Sequence, residues 1–371
     1  MSIWILNALA VFAISLLITG FIIPQILLIA FRKQLFDVPD ERKIHQGAVP
    51  RLGGIAFMPS IILSISFLAG CYILNGNNEV INSFLINKLP EAFGLCSLLI
   101  MYLVGIADDL VGVKYRAKFA AQILSAIFII AAGIYVSNLH GLFWIGTFPT
   151  PIAILFTILL IVFITNSINL IDGIDGLASG LSSIACIFYG YFFIQAGDYF
   201  FSLVALATLG ALVPFFGYNV FGNAAKHKKI FMGDTGALTI GLLLSIMSIR
   251  ICNLPVNVSL SGNLLVLAFA PLMIPCLDVL RVYFRRLRNH RNPFLPDKTH
   301  IHHKFLALGM RQRYAMITIL SISFLFTLTN VLLSEVMDVT MLFILDLTVW
   351  VLGNVWLTQA IKRREEARSN I

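Results

Sequence analysis

Eleven apolar runs divide the 371-residue sequence, at approximately 4–30, 53–74, 92–107, 119–136, 151–166, 177–196, 200–221, 236–253, 264–284, 315–333 and 341–360. Most approach the roughly 20 residues that a helix needs to cross the hydrocarbon core of a bilayer. The third and fifth lie near the lower limit. Lipid offers the backbone no hydrogen-bond partners, so runs of this length must satisfy their own polar groups, as helices do. With 59% hydrophobic and 12% charged residues, the chain is far more apolar than a soluble domain. The expected fold is all-α: a polytopic integral membrane protein of about eleven transmembrane helices. It forms a single domain over residues 1–371, with polar loops at 31–52, 107–118, 165–177, 222–235 and 285–314.

Charge orients this arrangement. Of the 26 Lys and Arg residues, all but Lys88 and Arg250 fall in alternate loops and in the tail. By the positive-inside rule those loops are cytoplasmic, the N-terminus lies outside and the C-terminus inside. The formal net charge of +8 then reflects cytoplasmic loops and anionic substrates, not nucleic acid. The first run, Ile3 to Ala30, has neither a basic start nor a small-residue cleavage site, which predicts a retained first helix. Cys71, Cys96, Cys186, Cys252 and Cys276 lie in or beside apolar runs without CxxC spacing and read as packing residues.

One strip does not belong in lipid: Asn166-Ser-Ile-Asn169-Leu-Ile-Asp172-Gly-Ile-Asp175-Gly-Leu177. Four polar side chains recur every third residue, which keeps them roughly on one side of a helical or 3₁₀ segment. A membrane-edge turn would explain a lone Asp-Gly. Here no Lys or Arg neutralises the acids, and Asp108, Asp109 and Asp234 stand at other run ends. Acids in such positions are functional candidates.

Asp108 and Asp109 are adjacent carboxylates, whose repulsion calls for a cation or a nearby Lys. Lys114, Arg116 and Lys118 follow, fit to pair with them or to hold phosphate. In Phe231-Met-Gly-Asp234-Thr-Gly236, Asp234 has two readings: a helix cap, or a cation ligand beside glycines that let backbone approach a ligand. Asp-rich loops without thiolates suit hard Mg²⁺ rather than zinc. The last basic loop carries Arg285, Arg286, Arg288, Arg291, His300, His302 and His303. The histidines lack a further ligand at zinc spacing and, beside arginines, read as anion binders or proton donors. Acids for Mg²⁺, basic groups for phosphate and a membrane body together point to phosphotransfer involving a lipid, which depends on positioning and charge neutralisation.

In this respect the sequence resembles the polyprenyl-phosphate N-acetylhexosamine-1-phosphate transferases. The resemblance runs from Asp37 to about Met310. It rests on Arg51-Leu-Gly-Gly54, on Asp108-Asp109 followed by Lys118 and Gln122, on the Asn166–Leu177 strip, on Phe231-Met-Gly-Asp234 and on His300-Ile-His-His303. The His-Ile-His-His form resembles the subgroup that starts O-antigen, common-antigen or teichoic-acid glycans; the muramoyl-pentapeptide transferases more usually carry three consecutive histidines. The resemblance implies transfer of N-acetylglucosamine-1-phosphate, or a close N-acetylhexosamine-1-phosphate, from a UDP-sugar to undecaprenyl phosphate, with release of UMP. It further implies Mg²⁺, replaceable by Mn²⁺, and a bacterial inner membrane with the active site on the cytoplasmic face.

Carried onto this chain, the resemblance makes Asp234 the first metal ligand, with Asp109 or Asn169 as further ligands. Asp108, Asp109 and His300 are the catalytic candidates, with Asp108 the base or nucleophile at the lipid phosphate. Lys118 and Asn166 join the substrate site, Lys118 on phosphate. Asp172, Asp175 and Phe231 line the uridine side. Arg286, His302 and His303 address the diphosphate and sugar. The expected partners are undecaprenyl phosphate, the UDP-N-acetylhexosamine and membrane lipid; a homodimer is compatible with a sequence that does not fix the oligomeric state. The rival readings are a phospho-N-acetylmuramoyl-pentapeptide transferase and a transporter using the acids as an ion path. The second sits poorly with polar groups gathered at one membrane face rather than at its midplane.

Overall fold

The computed structural model describes residues 2–36, 49–76, 88–255, 262–290 and 299–369. It is all-helical there. The α-helices are α1 (Ser2–Lys33), α2 (Phe57–Leu74), α3 (Lys88–Val111), α4 (Tyr115–Ala131), α5 (Thr150–Ile171), α6 (Leu177–Ala196), α7 (Tyr199–Val220), α8 (Gly233–Cys252), α9 (Leu264–Phe269), α10 (Met273–Arg288), α11 (Ile301–Ala307), α12 (Gln312–Leu333) and α13 (Val339–Ser369). Among the described residues, ten helical stretches are long and apolar enough to cross a membrane. They match ten of the eleven expected runs. The remaining run, 119–136, folds as the 17-residue α4 and is not among the ten.

Both short runs produce longer helices than their apolar lengths implied. The run at 92–107 sits in α3, which continues to Val111, and that at 151–166 sits in α5, which continues to Ile171. The apolar runs stop at the first polar side chains, but the backbone stays helical beyond them. Asp108, Asp109, Asn166 and Asn169 are thereby carried on the ends of rigid helices rather than on loops. The run at 264–284 is broken instead: Pro271 sits in a 3₁₀ turn, Ala270–Leu272, between α9 and α10. Proline lacks the N–H that a continuous helix would use.

Helix α8 is the centre of the bundle, with 94% of its most apolar stretch buried inside the protein. Its small residues explain how neighbours come so close. A side chain on Gly241 would meet the Thr165 backbone of α5 at 2.8 Å, and one on Gly105 of α3 would run into the Thr235 backbone. Close approach through small residues is the usual way membrane helices associate, since lipid tails compete with any merely apolar contact. Helices α3 and α5 flank α8, α4 joins α3, and α1 and α6 pack on α7. Leu17 and Phe21 of α1 and Trp356 of α13 remain exposed on the periphery, as a lipid-facing surface requires.

Candidate active site

The crossing of α3, α5 and α8 brings together residues far apart in sequence. Gly105 lets α3 lie against the first turn of α8. Asp109, four residues on, accepts hydrogen bonds from the backbone N–H of Asp234 (2.8 Å) and of Thr235 (2.9 Å), and from the Thr235 hydroxyl (2.6 Å). Asp109 thus supplies the anionic cap that the N-terminus of α8 needs. No side chain of α8 caps it, so Asp234 is not the cap residue that its position allowed. Gly233, at φ 72°, sits where a side chain would collide with the Arg51 carbonyl and with the Asp109 carboxylate.

Released from capping, the Asp234 carboxylate faces Asp108, Lys118 and Asn169. Lys118 forms an ion pair with Asp108 and reaches Asp234 Oδ1 at 3.1 Å. Asn169 donates to the same oxygen at 2.7 Å. The Asp108 and Asp234 side chains lie within hydrogen-bonding reach of one another, and Asp108 also accepts from the Val113 N–H at 2.6 Å. Two facing carboxylates and an amide are hard oxygen donors, the set that suits Mg²⁺. Among the described residues no three His, Cys, Asp or Glu stand together as a metal cage. Substrate phosphate oxygens and water would therefore complete the shell of a cation bound here.

The Asn166–Leu177 strip divides into three parts. Asn166 exchanges hydrogen bonds with Gln122 of α4, at 2.7 and 3.3 Å; this amide pair ties α5 to α4. Asn169 serves Asp234. Beyond Ile171 the helix ends, and Gly176 adopts a left-handed conformation (φ 78°) that starts α6. Its N–H donates to Asn219 Oδ1 (2.6 Å), while Asn219 Nδ2 donates to the Ile230 carbonyl (2.8 Å). Buried Asn219 thereby ties the acidic turn to the segment before Asp234. Asp175 pairs with Lys229 at 2.5 Å, and the Lys229 ammonium lies 5.8 Å from the Phe231 ring centre. Lys229 thus links Asp175 to Phe231, two of the three residues expected on the uridine side. Phe231 donates its N–H to the Pro50 carbonyl and accepts from the Gly53 N–H, both at 2.9 Å. This pairing seats Arg51-Leu-Gly-Gly54 against Phe231-Met-Gly-Asp234.

Asp172 is exposed at the mouth of this cleft. Its carboxyl is raised to about 7, first by the protein packed around the cleft and then by the negative charges of Asp175 and Asp234, with Arg51 opposing. Because the group itself faces solvent, water offsets part of the first effect.

The histidines at the start of α11 pack against the acidic turn. His302 is buried, its ring fills the place where Gly173 lacks a side chain, and among the described residues neither ring nitrogen has a hydrogen-bond partner. Burial, then the neighbouring His303 and His300, hold its pKa down at about 3. At neutral pH His302 therefore stands as a neutral imidazole, whose ring N–H can still donate to an anion. Its ring centre lies 5.9 Å from that of His300 and 4.2 Å from that of His303. Arg286 is buried in the last turn of α10, whereas Arg285 and Arg288 are exposed. The structure also shows what sequence reading passed over: Asp278, fully buried in α10, accepts from His300 Nδ1 at 2.8 Å.

These features define a helical membrane protein with an acidic, lysine-bridged cleft at the helix ends on one side of the bundle. Residues 92–252, which carry most of that cleft, match the model of glycosyl transferase family 4. The chain is 31% identical to the probable undecaprenyl-phosphate N-acetylglucosaminyl 1-phosphate transferase of Bacillus subtilis, over 87% of this chain and 84% of that protein. It is 31% identical to the decaprenyl-phosphate N-acetylglucosaminephosphotransferase of Mycobacterium leprae, over 82% and 78%. Against the undecaprenyl-phosphate alpha-N-acetylglucosaminyl 1-phosphate transferase of Yersinia pestis the identity is 29%, over 78% and 74%. The chain belongs to this family of polyprenyl-phosphate N-acetylglucosamine-1-phosphate transferases.

Proposed function

We propose that this protein transfers N-acetylglucosamine-1-phosphate from UDP-N-acetylglucosamine to undecaprenyl phosphate, releasing UMP, at the cytoplasmic face of a bacterial inner membrane. The observation that carries the reading is the Asp108–Lys118–Asp234 cluster. It sits on three helices, α3, α4 and α8, beside the Asp175–Lys229–Phe231 group and near the histidines at the start of α11. The orientation rests on the Lys and Arg asymmetry, and the acceptor and sugar on the relatives' names.

In the proposed site, Asp234, Asp108 and Asn169 hold Mg²⁺, which when bound neutralises charge on the transferring phosphate. Lys118 screens the two carboxylates from one another and presents an ammonium to phosphate. Asp108 is the group positioned to serve the lipid phosphate. Asp109 holds the first turn of α8, and with it Asp234, in place. Phe231 offers a face to uracil, and Lys229 and Asp175 flank it. Arg286 and the histidines meet the diphosphate and sugar. Transfer of phosphoryl groups asks the protein chiefly for position and electrostatic stabilisation, and these residues supply both.

The test is UMP release from UDP-N-acetylglucosamine by the purified protein with Mg²⁺. Release that depends on added undecaprenyl phosphate supports the reading. Absence of UMP, with the protein folded, sinks it and favours a transport role for the acids.

A further inference from the structure

Asp278 lies in an apolar helix turn, Met273 to Leu280, and has no solvent exposure. Among the described residues, every hydrogen-bond partner of its carboxylate donates to it. His300 Nδ1 donates at 2.8 Å, the Ile301 N–H at 3.0 Å, Arg281 Nη2 at 2.7 Å and Arg281 Nε at 3.3 Å. A buried acid met only by donors is an ionised acceptor, and a buried charge persists only when paired in this manner. Arg281 also donates to the Thr299 carbonyl at 2.6 Å, so the same arginine fixes the chain just ahead of His300.

The consequence falls on His300. Only a protonated Nδ1 can donate to a carboxylate, so Asp278 selects the Nδ1–H tautomer and leaves Nε2 as the ring nitrogen free for other use. The His300 ring lies parallel to that of His302, with an interplanar angle of 1°. The His302 ring in turn covers Gly173, next to Asp172. The orientation of His300 is therefore set from inside the bundle and passed to the acidic cleft.

We propose that Asp278 is a positioning residue of the transfer reaction, acting through His300 by fixing its tautomer and ring orientation so that Nε2 meets the sugar diphosphate. The inference rests on the transferase reading for its kinetic part only. A merely structural strap, tying α10 to the start of α11 through the Ile301 N–H, is the competing account.

The experiment combines turnover with histidine NMR. Asp278→Asn keeps the size and one acceptor oxygen but turns an amide N–H toward His300, which demands the opposite tautomer. The kcat should fall roughly 10- to 100-fold, by analogy with the loss of carboxylates that orient functional histidines, while the KM for UDP-N-acetylglucosamine changes less than about threefold. In a His300→Gln background the same substitution should cost less than about threefold, because its route is already cut. An equal loss in both backgrounds, or near-normal turnover of Asp278→Asn, overturns the proposal. Nitrogen-15 spectra of histidine-labelled protein in nanodiscs, with His300 assigned by difference from His300→Gln, should show Nδ1–H in the wild type. They should show Nε2–H in Asp278→Asn. An Nε2–H wild type overturns the proposal even if Asp278→Asn fails to fold. If the wild type turns over no UDP-sugar, the transferase reading fails and the spectra alone decide the tautomer.

Discussion

Asp109 holds the backbone N–H of Asp234 at 2.8 Å while the Asp234 side chain turns away, to Lys118 and Asn169. Two acids from different helices thus divide the work at one helix terminus, and adjacent Asp108 and Asp109 do different things. Asp109→Ala should leave the Asp234 and Thr235 N–H groups without their acceptor. Each buried unsatisfied donor costs about 1–3 kcal/mol, so thermal unfolding in detergent should shift down by several degrees. Asp108→Asn should unfold near the wild-type temperature and lose kcat, with little change in the KM for UDP-sugar. Similar melting of the two variants would undo the division of roles.

Asp234→Asn removes a negative ligand from the proposed Mg²⁺ site and leaves the α8 cap intact. Activity should drop by at least about 100-fold, several kcal/mol in transition-state terms, with raised Mg²⁺ supplying partial rescue. Normal turnover at ordinary Mg²⁺ would rule out Asp234 as the metal ligand.

Phe231 has Lys229 over its ring and Lys229 is paired with Asp175. Aromatic stacking on a base contributes roughly 1–3 kcal/mol. The KM for UDP-sugar should therefore rise at least fivefold in Phe231→Ala and stay close to wild type in Phe231→Trp. A KM for Phe231→Ala equal to wild type would exclude the uracil contact.

Asp172 gives a pH signature with a definite sign. Its carboxyl is raised above 3.8 in the folded protein, toward about 7 with part of the burial effect offset by solvent, so the folded state disfavours its charge. The contribution to stability is fully present below about pH 4 and is lost as pH rises through about 7. Asp172→Asn removes that loss. Its melting temperature relative to wild type should climb between pH 4 and pH 8. A difference that stays constant with pH would show that Asp172 titrates normally.

Much of this was legible in the chain. The apolar runs gave the helical spans, and the acids at their ends marked the cleft, because polar groups in lipid are expensive and therefore informative. Other features need the tertiary crossing. Nothing local to Asp109 tells that its partner is the backbone 125 residues on. Lys229 reads as one more positive-inside charge until the fold sets it beside Asp175. Asp278 is masked by its apolar neighbours, and the pairing that explains it lies across the α10–α11 connection. His302 needs the fold as well: its basic sequence context does not show that the ring is buried against Gly173.

The central claim is the identity of the transferred group and its acceptor. Purified protein with Mg²⁺ and undecaprenyl phosphate should be offered UDP-N-acetylglucosamine and UDP-N-acetylmuramoyl-pentapeptide in competition, and the extracted lipid analysed by mass spectrometry. The account predicts N-acetylglucosaminyl-diphospho-undecaprenol with an equal yield of UMP. Preferential formation of the pentapeptide-bearing lipid, or no lipid-linked sugar from either donor, would contradict it.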